Sequence, residues 1–206
     1  DCRRQAERLV TEIGGFLHAS DTATSAGPLR GFLTQMVSLG CKRLAILAEM
    51  TGQADDAITF AQQRQRLCLE AVASLPEGDV ESLHKELIDA EIEVAKLLRK
   101  TGRGAEAEAA LEQAAKTARL LHDEQPGVWD HASLLALVCQ QRAELAVARG
   151  ERDAAARWFQ EAITLMEPQL AKPARQRENE AQLAGARAGL HDLGERPDEP
   201  RRQTLT

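Results

Sequence analysis

Glu81 and His84, in the stretch ESLH, stand three residues apart, the spacing that puts two metal ligands on one helical face. A dinuclear carboxylate site of that kind also needs a second Glu-x-x-His pair and two inward glutamates, and the chain has no second copy. The pair therefore reads as a solvated helix face. His122 and His131 flank the stretch DEQPGVW without a partner at metal-ligand spacing, and both read as loop histidines. The four cysteines, Cys2, Cys41, Cys68 and Cys139, are far apart and form no CxxC or Cys/His set. A nucleophilic thiol needs a nearby base and a polarised pocket, whereas Cys41, Cys68 and Cys139 lie in apolar helical patterns. They read as reduced, buried small hydrophobes of an intracellular protein, and the location expected is cytoplasmic. GRGAE, residues 102–106, offers a helix N-terminus to a phosphate but lacks the lysine of GxxxxGK[ST] and any preceding strand, so it reads as a turn. Trp158 and Phe159 are adjacent and cannot enter the same core layer of a helix, so one of them faces outward. No catalytic residue, metal or cofactor is assigned, and the chain reads as a non-enzyme.

The elements that would position these residues are helices. Aromatic residues make up 3% of the 206 residues, there is no tyrosine, and alanine and leucine dominate, which suits close helix packing better than a sheet. Sustained period-two alternation is absent, so the class is all-α. A mean hydropathy of −0.37 and the lack of a long apolar run exclude a membrane span. Net charge is −6 with Lys and Arg scattered, which removes the basic footprint of a nucleic-acid binder. The chain opens on Asp1 with no charged-then-apolar leader, as a fragment or a trimmed protein would.

Periodicity predicts a helix over 1–19, with Leu9, Val10, Ile13, Phe16 and Leu17 on one side, then a Ser/Thr/Gly/Pro loop. Further helices are predicted over 29–51, 53–75, 80–101, 103–123, 130–149, 151–169 and 173–193, the last ending at Gly194. The tail ERPDEPRRQTLT reads as flexible. Gly52, Gly102 and Gly150 separate amphipathic runs at spacings of 50 and 48 residues, and each is placed to close one helix in a left-handed conformation. Carboxylates follow each of them, Asp55 and Asp56, Glu106, then Glu151 and Asp153, where the next helix's positive end favours negative charge. Ala57, Ala107 and Ala155 fall five after the glycine, Ala61, Leu111 and Phe159 nine after, and Ala114 and Ala162 twelve after. Ala45, Ala95 and Ala143 fall seven before it.

This spacing, clearest in GERDAAARWFQEAITLMEP, resembles the second half of a tetratricopeptide repeat. The period exceeds the family's usual 34 residues by roughly 15, which points to a long-helix variant. The resemblance implies an α-α superhelix, a solenoid of about eight antiparallel helices. It would form a single domain over 1–194, with an N-terminal helix and loop over 1–28, three hairpins over 29–170, a capping helix over 173–194 and the tail over 195–206. In that family the first helix of each hairpin lines a concave groove, at ten, six, three and two residues before the glycine. Carried onto this chain, those steps give Lys42, Ile46, Glu49 and Met50, then Ile92, Lys96, Arg99 and Lys100, then Gln140, Glu144, Val147 and Ala148. Ile46 stands where the chaperone-binding members carry asparagine, which argues against a carboxylate clamp. The implied function is a protein-protein interaction module or scaffold that binds a peptide or helix of a partner, without nucleic acid. The alternative is a helical-bundle sensor or ligand-binding domain of a larger signalling protein.

Overall fold

The computed structural model describes residues 8, 12, 27–74, 80–171 and 176–195. Among them are seven α-helices: α1 (Gly27–Met50), α2 (Ala54–Ser74), α3 (Val80–Lys100), α4 (Gly104–Glu124), α5 (Trp129–Ala148), α6 (Arg152–Met166) and α7 (Gln176–Glu195). A short 3-10 helix, Glu167–Ala171, follows α6, and no strand occurs among the described residues. The predicted helix over 1–19 and the tail over 195–206 lie outside the described residues, save Arg8 and Glu12, which are helical, and Glu195, which ends α7. Most helix limits fall within one or two residues of those predicted, and two of the differences have a plain physical reading. The helix expected to run to 169 is α-helical only to Met166, because Pro168 cannot donate the i→i−4 bond that would continue it, and the chain tightens instead. Gly194 does not stop α7, which runs one residue past it, and its φ is not positive.

The three glycines behave alike. Gly52, Gly102 and Gly150 have φ of +75°, +77° and +76°, and no other described residue is left-handed. Each joint satisfies the carbonyls of the helix it ends. Gly52 N–H donates to Glu49 O at 3.1 Å and Gln53 N–H to Ala48 O at 2.8 Å. Gly102 and Arg103 donate in the same way to Arg99 O and Leu98 O, and Gly150 and Glu151 to Val147 O and Ala146 O. These are Schellman motifs. The residue after each glycine also starts the next helix: the carbonyls of Gln53, Arg103 and Glu151 accept from Ala57, Ala107 and Ala155. A single residue thus closes one helix and opens the next.

Helices joined this closely meet at their near ends, and only a small side chain fits there. Ala57, Ala107 and Ala155 are all at 0% exposure, and Ala45, Ala95 and Ala143 opposite them are buried too. Contacts gather into two units, residues 1–124 and 125–206, dividing at the Gln-Pro-Gly break. In the first unit α1 packs on α2, α2 on α3 and α3 on α4. In the second, α5 packs on α6 and α6 on α7, with the 3-10 turn against both α6 and α7. Here α7 approaches through glycine, since a Cβ on Gly189 would lie 2.3 Å from Phe159 Cζ. Asn179, wholly buried on α7, donates to Gln169 O at 2.8 Å and accepts from Trp129 Nε1, which ties the last helix to both neighbours.

The joint geometry makes a direct prediction. Gly102→Val places a branched side chain in the left-handed region and should lower stability by roughly 1–2 kcal/mol or more. Gly194→Ala, in right-handed helix with open space around it, should be neutral or stabilise by up to about 1 kcal/mol. Thermal melts of the two variants check both signs.

Candidate binding surface

The second helix of each hairpin fills its inner layer at nine and twelve residues after the glycine. In the second and third hairpins the pairs are Leu111 with Ala114 and Phe159 with Ala162, large then small, all buried. The first hairpin exchanges the sizes: Ala61 is small, and the residue twelve after Gly52 is Arg64, at 1% exposure. A buried guanidinium must meet acceptors on every side. Arg64 Nη1 donates to Glu93 Oε2 at 2.8 Å, and Nη2 to Glu86 Oε2 at 2.9 Å and Asp89 Oδ2 at 2.8 Å. Its Nε donates to Ser38 Oγ on α1 at 3.2 Å, and Ser38 Oγ lies 3.9 Å from Cys68 Sγ. The three acids stand on α3 at helical spacing, so one arginine of α2 fastens the first hairpin to the second.

The titratable groups respond accordingly. Burial opposes the Arg64 charge, but hydrogen bonding and the field of Asp89, with Glu86 and Glu93, more than offset it and push its pKa up. Asp89 is also opposed by burial, yet Lys42 and Arg64 hold it below the usual carboxylate range. Glu93 is raised by burial despite Arg64. Burial pushes the Cys41 thiol up to about 11 and raises Cys68 as well, against the field of Arg64, so neither is a thiolate at neutral pH. Cys41, Cys68 and Cys139 are free and buried, as the apolar pattern around them predicts.

Above this network, long side chains bridge α1 and α3. Lys42 Nζ donates to Asp89 Oδ2 at 2.7 Å, and Lys100 pairs with Glu49. The family-derived positions thus separate into distinct environments. Lys42 and Lys100 are spent on acids of the facing helix. Lys96, one turn before Lys100, is half-buried and makes no ion pair among the described residues, while Arg99 lies half-buried beside it. Ile46, at 45% exposure, and Met50, at 80%, present apolar surface, whereas Ile92 is in the core and cannot touch a ligand. Lys42, Lys96, Arg99 and Lys100 share this face with Glu49, Glu86 and Asp89, so it carries mixed charge beside an apolar edge. A cleft of about 200 Å³ opens at the first joint, lined by Leu44, Leu47, Ala48, Thr51, Gln53 and Phe60.

Gln140 and Glu144 belong to the second unit. Gln140 Nε2 donates to Gln182 O on α7 at 3.0 Å, and Glu144 Oε1 accepts from Gln141 Nε2 at 3.2 Å. Gln182 also links to Ser133, so side chains join α5 to α7 as they join α1 to α3. No protein-family model matches the chain, and no curated protein matches it.

The remaining sequence candidates find ordinary places. Glu81 pairs with Lys85 at 2.6 Å, His84 is half-buried, and no group of three metal-ligating side chains occurs among the described residues. His122 and His131 are not loop residues: the first lies in the last turn of α4 and the second in the first turn of α5, buried. Phe159 enters the core, while Trp158 turns outward under Arg142, 3.9 Å from the guanidinium carbon to the ring centre. The sequence reading passed over Arg64, although an arginine at a step occupied elsewhere by alanine was the available signal. Glu91 gave no signal at all. It is 2% exposed, its Oε2 has no hydrogen-bond partner, and burial pushes its carboxyl up to about 7 despite a hydrogen bond from Gln65.

Two outcomes follow. Arg64→Ala leaves Glu86, Asp89 and Glu93 without their shared cation and should cost about 3 kcal/mol, because breaking a buried pair strands its partners. Chemical denaturation measures it. Glu91 has a folded pKa above its unfolded value, so an acid that must ionise inside the core destabilises the fold as pH rises. The loss begins above pH 4.5 and is complete beyond 7, on the order of 3 kcal/mol. Glu91→Gln should therefore melt higher than wild type at pH 8, with the difference closing by pH 4.5.

Proposed function

We propose that this chain is a protein-protein interaction module of the tetratricopeptide type, which receives a peptide or helix of a partner along the face of its hairpins' first helices. The observation that carries the reading is the recurrence of one joint, with the same backbone hydrogen bonds and the same small buried residues, at spacings of 50 and 48 residues. Within each unit side chains bridge α1 to α3 and α5 to α7, through Lys42–Asp89 and Ser133–Gln182, which supports a shared face for a partner. The buried titratable groups of the first unit support a role without catalysis. Arg64 and its acids satisfy one another, and Cys41, Cys68 and Glu91 are closed off from solvent.

The partner that fits the α1/α3 face is amphipathic. Ile46 and Met50 offer apolar anchorage, and Lys96 favours an acidic side chain beside it. A display library of helix-forming peptides should yield binders that combine apolar anchors with an acidic residue. Affinity should fall roughly tenfold, about 1.4 kcal/mol, in Ile46→Glu and in Lys96→Glu without loss of helicity. Only the Lys96 effect should weaken at high salt, since a rim charge acts mainly on association. Equal binding by wild type and both variants removes the α1/α3 face as the site.

A further inference from the structure

The register that relates the three hairpins contains one exchange that core packing does not explain. Eight residues before the glycine stand Leu44 and Val94, both buried, and eight after it stand Phe60 and Ala110. In the third hairpin the same two steps hold Arg142 and Trp158, each half-buried, with the guanidinium carbon 3.9 Å from the ring centre. Where the other hairpins place apolar residues, this one places a cation on an aromatic ring.

That cation is unmatched. The residues three and four steps away along α5 are Val138, Cys139, Leu145 and Ala146, all buried, so Arg142 rises from a surface that brings it no carboxylate. The acid nearest by step on α6, Glu161, makes no ion pair with it, and neither Arg142 nor Trp158 makes a side-chain hydrogen bond or ion pair among the described residues. An apolar surround strengthens the pull of a charge on an anion, because less water screens it. Stacking occupies the face of the guanidinium and leaves its N–H edge, which matches the two oxygens of a carboxylate.

We infer that the Arg142–Trp158 stack is a second interaction point, which receives the carboxylate of an acidic side chain on a partner peptide. The guanidinium edge donates to both oxygens, and the exposed part of the ring borders the methylenes of the same side chain. A single guanidinium, with Arg149 already facing Glu151 at 3.9 Å, suits one negative charge better than a phosphate dianion. Arg142 lies two residues from both Gln140 and Glu144, on the opposite side of α5 from those groove steps, so the inference stands apart from the α1/α3 reading.

The chain has two tryptophans, and their indole N–H signals in heteronuclear NMR supply a reporter and a control within one unit. Trp158 reads the stack, whereas Trp129, which donates to Asn179, reads the packing of α7. Titration of the full chain with hexaglutamate should move the Trp158 signal saturably and leave Trp129 in place, and hexalysine should move neither. Arg142→Gln should weaken hexaglutamate roughly fivefold or more, while Arg177→Gln, which removes the same charge from an exposed position on α7, stays within about twofold of wild type. A Trp158 signal that hexaglutamate leaves unmoved overturns the inference, as does an equal loss in the two variants. Inorganic phosphate binding as tightly as hexaglutamate also overturns it, since the site is then open to any anion. Where Arg142→Gln moves Trp129, and so the packing, Arg142→Lys takes its place: the charge stays and the flat edge is lost, so affinity should fall roughly threefold, and an unchanged affinity overturns the inference.

Discussion

A helix that turns back on itself within three residues must carry one residue near φ +75° and still satisfy the carbonyls of its last turn. Only a residue without a Cβ does this at no steric cost. Gly52, Gly102 and Gly150 meet that constraint with one set of backbone hydrogen bonds, and the rest of each hairpin follows. Because the joint is short, the two helices begin close together. Because they begin close, the residue five along must be alanine, as it is at Ala57, Ala107 and Ala155. The alanine-rich composition is thus a consequence of the joint geometry, not a general preference for helix.

Further from the joint the helices diverge, and one large residue with one small one fills the gap. The second and third hairpins use Leu111 and Phe159 in that role, whereas the first uses Arg64 one turn later beside Ala61. The exchange keeps the volume and changes the chemistry. An apolar side chain accepts many neighbours, but a buried guanidinium accepts only a neighbour that brings carboxylates at matching steps. Glu86, Asp89 and Glu93 on α3 are that neighbour. Such a network adds less stability than its bond count suggests, since the desolvation of each charge offsets much of the attraction. Its effect is to favour one pairing of hairpins over others. Its acids also take up Lys42, which leaves Lys96 without an ion pair among the described residues beside the exposed Ile46 and Met50.

The sequence by itself determined what depends on a few consecutive residues. The all-helical class, the three left-handed glycines, the helix limits within a few residues and the burial of the alanines around each joint were legible, because backbone sterics and 3.6-residue periodicity act locally. Pro168 stood in the sequence as a helix breaker, yet the predicted helix ran past it to 169. The groove positions were assigned only through the family resemblance. The protein distributes them unevenly, with Ile92 in the core and Lys42 and Lys100 engaged by acids 47 and 51 residues away. Tertiary structure alone decided that Arg64 meets three acids 22 to 29 residues on, that Glu91 is sealed with an unpaired oxygen, and that Asn179 joins Trp129 to Gln169. Such pairings depend on which helix faces come into contact and how far water is excluded between them. That is a property of the packed molecule, and no window of sequence shorter than two helices contains it.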